Sequence, residues 1–138
     1  MNELTDNVTE VVEWYKKLPK DYSNIEDLMY ARKKLSTYQF TMAVELGKLR
    51  QNWKECEVAT EIIRRQKAVE CIEEGLAMTK VVEISKAEAL LMFEAEKNAD
   101  AEYHSMKFLI YATQEVNNTM MQHVSQLKIE QKNIAPHT

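Results

Sequence analysis

Asp100 and His104 stand four residues apart, with Glu96 one turn earlier, so a helix would bring three oxygen and nitrogen donors to one face. Such a set could hold a surface metal ion. The same spacing also arises wherever a charged helix face meets water, and that reading is preferred. A carboxylate-bridged di-metal bundle needs Glu-x-x-His on each of two helices, and no Glu-x-x-His occurs. Cys-x-x-Cys is absent, and Cys56 and Cys71 are 15 residues apart. On one helix that is roughly 22 Å of rise, beyond disulfide reach, so both are expected as reduced thiols. Neither has a histidine near it in sequence, and Ser36, Ser105 and Ser125 lack the strand–turn–helix setting that exposes an activated hydroxyl. His123, beside Met120 and Val124, reads as a core-edge residue, and His137 lies in the tail. With two isolated glycines, Gly47 and Gly75, no phosphate-cradling loop can form. No catalytic residue, metal or cofactor is expected, and the chain is read as non-enzymatic.

A second chemistry comes from cations. Arg32, Lys33 and Lys34, then Lys48, Arg50 and Lys54, then Arg64, Arg65 and Lys67 recur near Tyr30, Tyr38 and Trp53. A cationic helix with aromatic platforms could follow a single strand of nucleic acid, with Arg32, Lys33, Lys34, Arg64, Arg65 and Lys67 as contacts. The net charge of −4 opposes it. A solvated or internally paired face is the first reading and nucleic-acid contact the second.

The elements that must position these residues are helices. Between Pro19 and Pro136 there is no proline, and Glu, Lys, Ala, Leu, Met and Gln dominate. One domain spans 1–138, with helices at about 2–18, 24–74 and 85–132. In the first, Leu4, Val8, Val11, Val12, Tyr15 and Leu18 have helical spacing, and Pro19 ends it. Ser23-Asn24-Ile25-Glu26 reads as a capping box opening the second. Its core stripe runs Leu28, Ala31, Leu35, Tyr38, Met42, Leu46, Leu49, Trp53, Cys56, Ala59, Ile63. A break near Gly47–Asn52 is the competing arrangement. Gly75 is placed as a left-handed cap, after which LAMTKVVEI reads as a connector. Ser85-Lys86-Ala87-Glu88 reads as a second capping box, opening a helix striped by Leu91, Ala95, Ala99, Tyr103, Met106, Ile110, Thr113, Val116, Met120, Val124 and Leu127. The eight methionines read mainly as core filler. The tail NIAPHT is expected to fray. The fold class is all-α: a long, coiled-coil-like antiparallel hairpin with a short N-terminal helix, completing a helical bundle by dimerisation.

Charge falls in blocks. Residues 32–67 carry nine bases and four acids, and 68–102 carry nine acids and three bases. A reversal near Thr79–Lys80 would set Arg64, Arg65 and Lys67 opposite Glu94, Glu96 and Glu88.

Apolar surface exceeds what a hairpin can cover. Leu90-Leu91-Met92-Phe93 and Phe108-Leu109-Ile110-Tyr111 are uninterrupted, and consecutive residues lie about 100° apart, so four in a row occupy most of a helix's girth. The middle helix has Ile25, Met29, Phe40, Val44, Val58, Ile62, Val69 and Ile72 off its stripe. Self-association is expected, most simply as a dimer, with Leu90, Phe93, Phe108, Leu109 and Tyr111 at an oligomer or partner interface.

The stretches K-L-S-T-Y…L-G-K-L (34–49), S-K-A-E-A (85–89) and V-S-Q-L-K-I-E-Q (124–131) resemble the small helical accessory proteins of phages and other bacterial mobile elements. That resemblance implies a compact protein acting by contact, alongside DNA recombination or replication or against a host defence. The acidic N-terminus lacks the basic region of a signal peptide, and no apolar run approaches the roughly 20 residues a bilayer requires, so a cytoplasmic protein without membrane contact is expected. Its function is read as protein–protein interaction, assembly or inhibition through an unknown protein partner; the alternative is a nucleic-acid-binding accessory.

Overall fold

The computed structural model describes residues 2–134, and among them it is all-helical, with no strand. Four helices follow one another: α1 (Asn2–Lys16), α2 (Ile25–Glu73), α3 (Met78–Glu88) and α4 (Leu90–Ile134). Of the tail expected to fray, Asn133 and Ile134 are helical; His137 and Pro136 lie outside the described residues.

The first two helices form where expected. Val8 and Val11 are buried, and Leu4, Val12 and Tyr15 are half-buried, as the spacing of α1 requires; the helix ends at Lys16, two residues short of the expected end at Leu18, which is half-buried beyond it. The cap of α2 is one residue later than predicted. Asn24, not Ser23, supplies the oxygen, its Oδ1 accepting the Asp27 N–H at 3.2 Å. Glu26 thereby loses the capping-box position, and Tyr22 donates to Asp27 Oδ2 at 2.8 Å instead. α2 then runs unbroken through Gly47, which rules out the break near Gly47–Asn52.

Its end is a Schellman motif. Gly75 has φ +79°, its N–H bonds Ile72 O at 3.0 Å, and the Leu76 N–H bonds Cys71 O at 3.2 Å.

After that the sequence reading needs correction. LAMTKVVEI is a connector only at Leu76–Ala77; from Met78 onward it belongs to α3. Ser85 opens no helix. It is buried inside α3 with its hydroxyl donating to Val82 O at 3.1 Å. Burial of Val81 outweighs the modest helix cost of its β-branched neighbours, a tertiary override of propensity. The interruption falls at Ala89, with φ −87° and ψ 0°, the bridge region. It is a single residue wide, because Ala89 N–H still bonds Ser85 O at 3.2 Å and Phe93 N–H bonds Ala89 O at 2.9 Å. The offset displaces the predicted start of the next stripe. Leu91 is 81% exposed and Ala95 is exposed, whereas Ala89 and Ala99 are buried.

The chain divides into two compact units, residues 1–44 with 108–138, and residues 45–107. In the first, large side chains fill the interior: Val8, Leu28, Leu35, Met42 and Met120 are fully buried. In the second, α2 and α4 run antiparallel: Trp53 stacks on Tyr103 at 5.4 Å, and farther along α2 Thr60 and Arg64 share a groove with Ala89 and Phe93.

The two glycines should respond oppositely to alanine. A Cβ would meet nothing within 4 Å at either position. Gly47→Ala should stabilise by about 1 kcal/mol through helix propensity. Gly75→Ala should destabilise by about 1–2 kcal/mol, because only its backbone is left-handed. Urea unfolding of both variants checks the pair of signs.

Candidate interaction surface

In the second unit most of the buried positions are small residues, and many large apolar ones are exposed. Its buried positions are Thr60, Cys71, Val81, Ser85, Ala89, Ala99 and Met106. On its surface stand Val58, Ile62, Val69 and Ile72 of α2, Met78 and Val82 of α3, and Leu90, Leu91 and Phe93 of α4. Small side chains let helices approach closely, but they remove little apolar area from water.

The exposed residues of α2 have their own order. From Val58 the steps to Ile62, Val69 and Ile72 are four, seven and three, which confines all four to an arc of roughly 80°. That arc lies opposite the face carrying Thr60 and Cys71, so α2 is apolar on two opposed sides here. All four are about half exposed. In the first unit Met29, Phe40 and Val44 of α2 are exposed as well, and of the off-stripe residues singled out from sequence only Ile25 is half-buried.

The five residues assigned to an interface are distributed over both units. Leu90 and Phe93 border a groove of about 310 Å³ with Thr60, Arg64 and Lys86, and the Lys97 ammonium lies 4.8 Å from the Phe93 ring centre. In the first unit Phe108 is 71% exposed, Tyr111 is exposed and Leu109 is half-buried. None of the five is fully buried.

Four of the nine bases on α2 are answered within the same helix. Arg65 pairs with Glu61 at 3.0 Å, Lys67 with Glu70 at 3.2 Å, Lys48 with Glu45 at 3.4 Å and Lys54 with Glu57 at 3.5 Å. The expected pairing of Arg64 and Arg65 with Glu94 and Glu96 is not what forms. Of that register only Lys67 and Glu88 lie close enough to interact: Glu70 foremost, and Glu88 after it, hold the Lys67 pKa above its ordinary value. Arg32 is turned inward, its Nε donating to Asn117 Oδ1 at 3.0 Å. Lys34 lies over the Tyr30 ring at 4.8 Å. Lys33 and Arg64 are in no ion pair among the described residues.

Asp100 and His104 do come together, Nδ1 lying 2.7 Å from Asp100 Oδ1 and 2.9 Å from its carbonyl oxygen. His104 also packs edge-on to Trp53 and Tyr103, so it belongs to an aromatic cluster. Among the described residues no group of three or more His, Cys, Asp or Glu side chains is arranged to hold a metal. Cys71 is buried and Cys56 half-buried, both as free thiols on one helix.

Two positioning residues stand out. His123 ties the α1–α2 link to α4: Nε2 donates to Tyr22 O at 3.0 Å, leaving Nδ1 to accept from the Tyr15 hydroxyl at 3.4 Å. Asn117, which the sequence reading passed over for Val116, is buried and bonds Arg32, Ser36 Oγ at 3.2 Å and Gln39 Oε1 at 3.3 Å. The steps 113, 117, 120, 124, 127 alternate four and three and could have revealed it; its polar side chain disguised it.

No helix is long and apolar enough to cross a membrane among the described residues. No family model matches the chain, and neither a characterised protein nor a solved structure matches it.

Two outcomes follow for stability. Asn117→Ala should cost about 1–3 kcal/mol in urea unfolding, because it strips partners from groups held in or beside the core. Burial raises the Tyr15 pKa above 10.0, and burial followed by the bond to Asp27 raises that of Tyr22. The folded chain therefore holds both phenols protonated more firmly than the unfolded chain does. Their contribution is complete below pH 10.0 and is lost as pH rises through the raised values. Unfolding midpoints should fall above that pH, and less steeply in Tyr15→Phe.

Proposed function

We propose that this protein acts by contact, as an adaptor, inhibitor or assembly factor, and that it associates with itself, most simply as a dimer, through outward apolar helix faces. The observation that carries the reading is the distribution in residues 45–107, where nine large apolar side chains face water while five of the seven buried positions are small residues, Val81 and Met106 being the exceptions. Full burial of such a side chain stabilises by about 1.5–3 kcal/mol, so each half-exposed residue leaves on the order of 1 kcal/mol to be gained. Contiguous exposure of this kind marks an interaction surface. A non-enzymatic role alongside other macromolecules, of the sort that mobile-element accessory proteins perform, fits the same surface.

Light scattering after size exclusion tests it. The wild-type mass should exceed that of one chain and rise with concentration. The double variant Ile62→Glu, Val69→Glu should lower the mass to one chain while retaining its helical circular dichroism. A wild-type mass fixed at one chain at all concentrations contradicts the reading.

A second reading, nucleic-acid contact along α2, has in its favour Lys33 and Arg64, which no ion pair engages among the described residues. Phosphate contacts predict affinity for single-stranded DNA that falls steeply with salt and weakens in Lys33→Ala, Arg64→Ala. No binding at low salt dismisses it.

A further inference from the structure

Between α1 and the first part of α2 lies a groove of about 300 Å³, the lower end of the size range for binding pockets. Glu10 and Trp14 line it from α1; Asp27, Tyr30, Lys34 and Tyr38 line it from α2. The α2 residues follow steps of three, four and four, so one helix face supplies two phenol rings, a carboxylate and an ammonium. All belong to the first unit.

One wall is braced. Trp14 stands edge-on to Tyr22 with ring centres 6.0 Å apart, and the Tyr22 hydroxyl donates to Asp27 Oδ2 at 2.8 Å. Asp27 is held in turn through its N–H, which bonds Asn24 Oδ1. This chain of contacts fixes the indole and the carboxylate relative to each other. The other wall already shows what it prefers. Tyr30 carries the Lys34 ammonium 4.8 Å from its ring centre, and Lys34 takes part in no ion pair among the described residues. Lys34 lines the same groove as Glu10 and Asp27, yet it lies over an aromatic face and pairs with neither.

Ring faces attract cations through their quadrupoles, and the attraction grows as water is excluded. Three aromatic side chains, two carboxylates and one ammonium make the groove electron-rich with a formal charge of −1 (two acids, one base). Glu10 is likewise in no ion pair among the described residues. We propose that this groove receives the guanidinium or ammonium group of a basic side chain on a partner protein, and that Lys34 is its built-in competitor. A side chain is the occupant of matching size: the groove accommodates one cationic head and its stem, and exposed Tyr30 leaves it open at the surface. The partner surface so identified is a basic one. This site involves none of the residues assigned to self-association, so the two readings stand or fall separately.

The test uses full-length protein carrying Trp53→Phe, so that Trp14 is the sole indole. The probes are a blocked arginine peptide, its citrulline counterpart and tetramethylammonium chloride, read by Trp14 fluorescence and by amide shifts of α1 and α2. The arginine peptide should produce saturable changes that the neutral citrulline peptide does not. Lys34→Met, which keeps the stem and removes the charge, should tighten binding roughly two- to fivefold, the scale of one exposed cation–π contact. Glu10→Gln should weaken it by a similar factor. Equal responses to arginine and citrulline peptides, no saturable response, or Lys34→Met binding no tighter than wild type would overturn the proposal. So would saturation by tetramethylammonium alone, which would mark a small-cation site with no role for a partner's side chain. A protein that remains a single chain in light scattering would leave this result intact.

Discussion

Apolar side chains on α2 and α4 extend around more of each helix than its neighbours in the chain cover. A long helix gains most of its stability from packing an apolar face. In the first unit α1 supplies additional cover, and Leu28, Leu35, Met42 and Met120 are withdrawn completely from water. In the second unit the cover comes from α3, whose buried contribution is Val81 and Ser85. That difference leaves the face from Val58 to Ile72 in solvent.

Directional contacts then specify what apolar burial leaves loose. A seam of alternating threes and fours tolerates sliding by a heptad, since one apolar layer resembles the next. Asn117 removes that freedom, because only one alignment brings Arg32, Ser36 and Gln39 to its amide. A single buried polar residue often fixes helix register in this way. His123 does comparable work where the Tyr15 hydroxyl and the Tyr22 carbonyl meet one ring. Charge contributes less to register than the block pattern implies. Four of the nine bases on α2 find acids three or four residues away on the same helix, pairs of modest worth in water.

The same economy shapes the surfaces. Some lysines turn to rings: Lys34 lies over Tyr30 and Lys97 over Phe93, and Lys54, which also pairs with Glu57, lies over Trp53, each within 5 Å of the ring centre.

Local chemistry was legible wherever a residue's own conformational preference decided the outcome. With no proline between Pro19 and Pro136 the long helices run without a breaker, Pro19 lies just beyond the end of α1, and Gly75 ended α2 because glycine accepts φ +79° without backbone strain. The surplus of apolar residues was equally readable, since it is a count around a helix. What the sequence could not show is where tertiary burial overrules preference. Alanine is the best helix former, yet the helix is interrupted at Ala89, whose small side chain is buried there. Val81 and its neighbours, unpromising in isolation, became α3 once packed. Asn117 counts as polar in any pattern and acquires its inward role only when three partners from α2 surround it. The exposed apolar face of α2 in the second unit has the same origin: periodicity finds two apolar faces there, and only packing decides which one is covered.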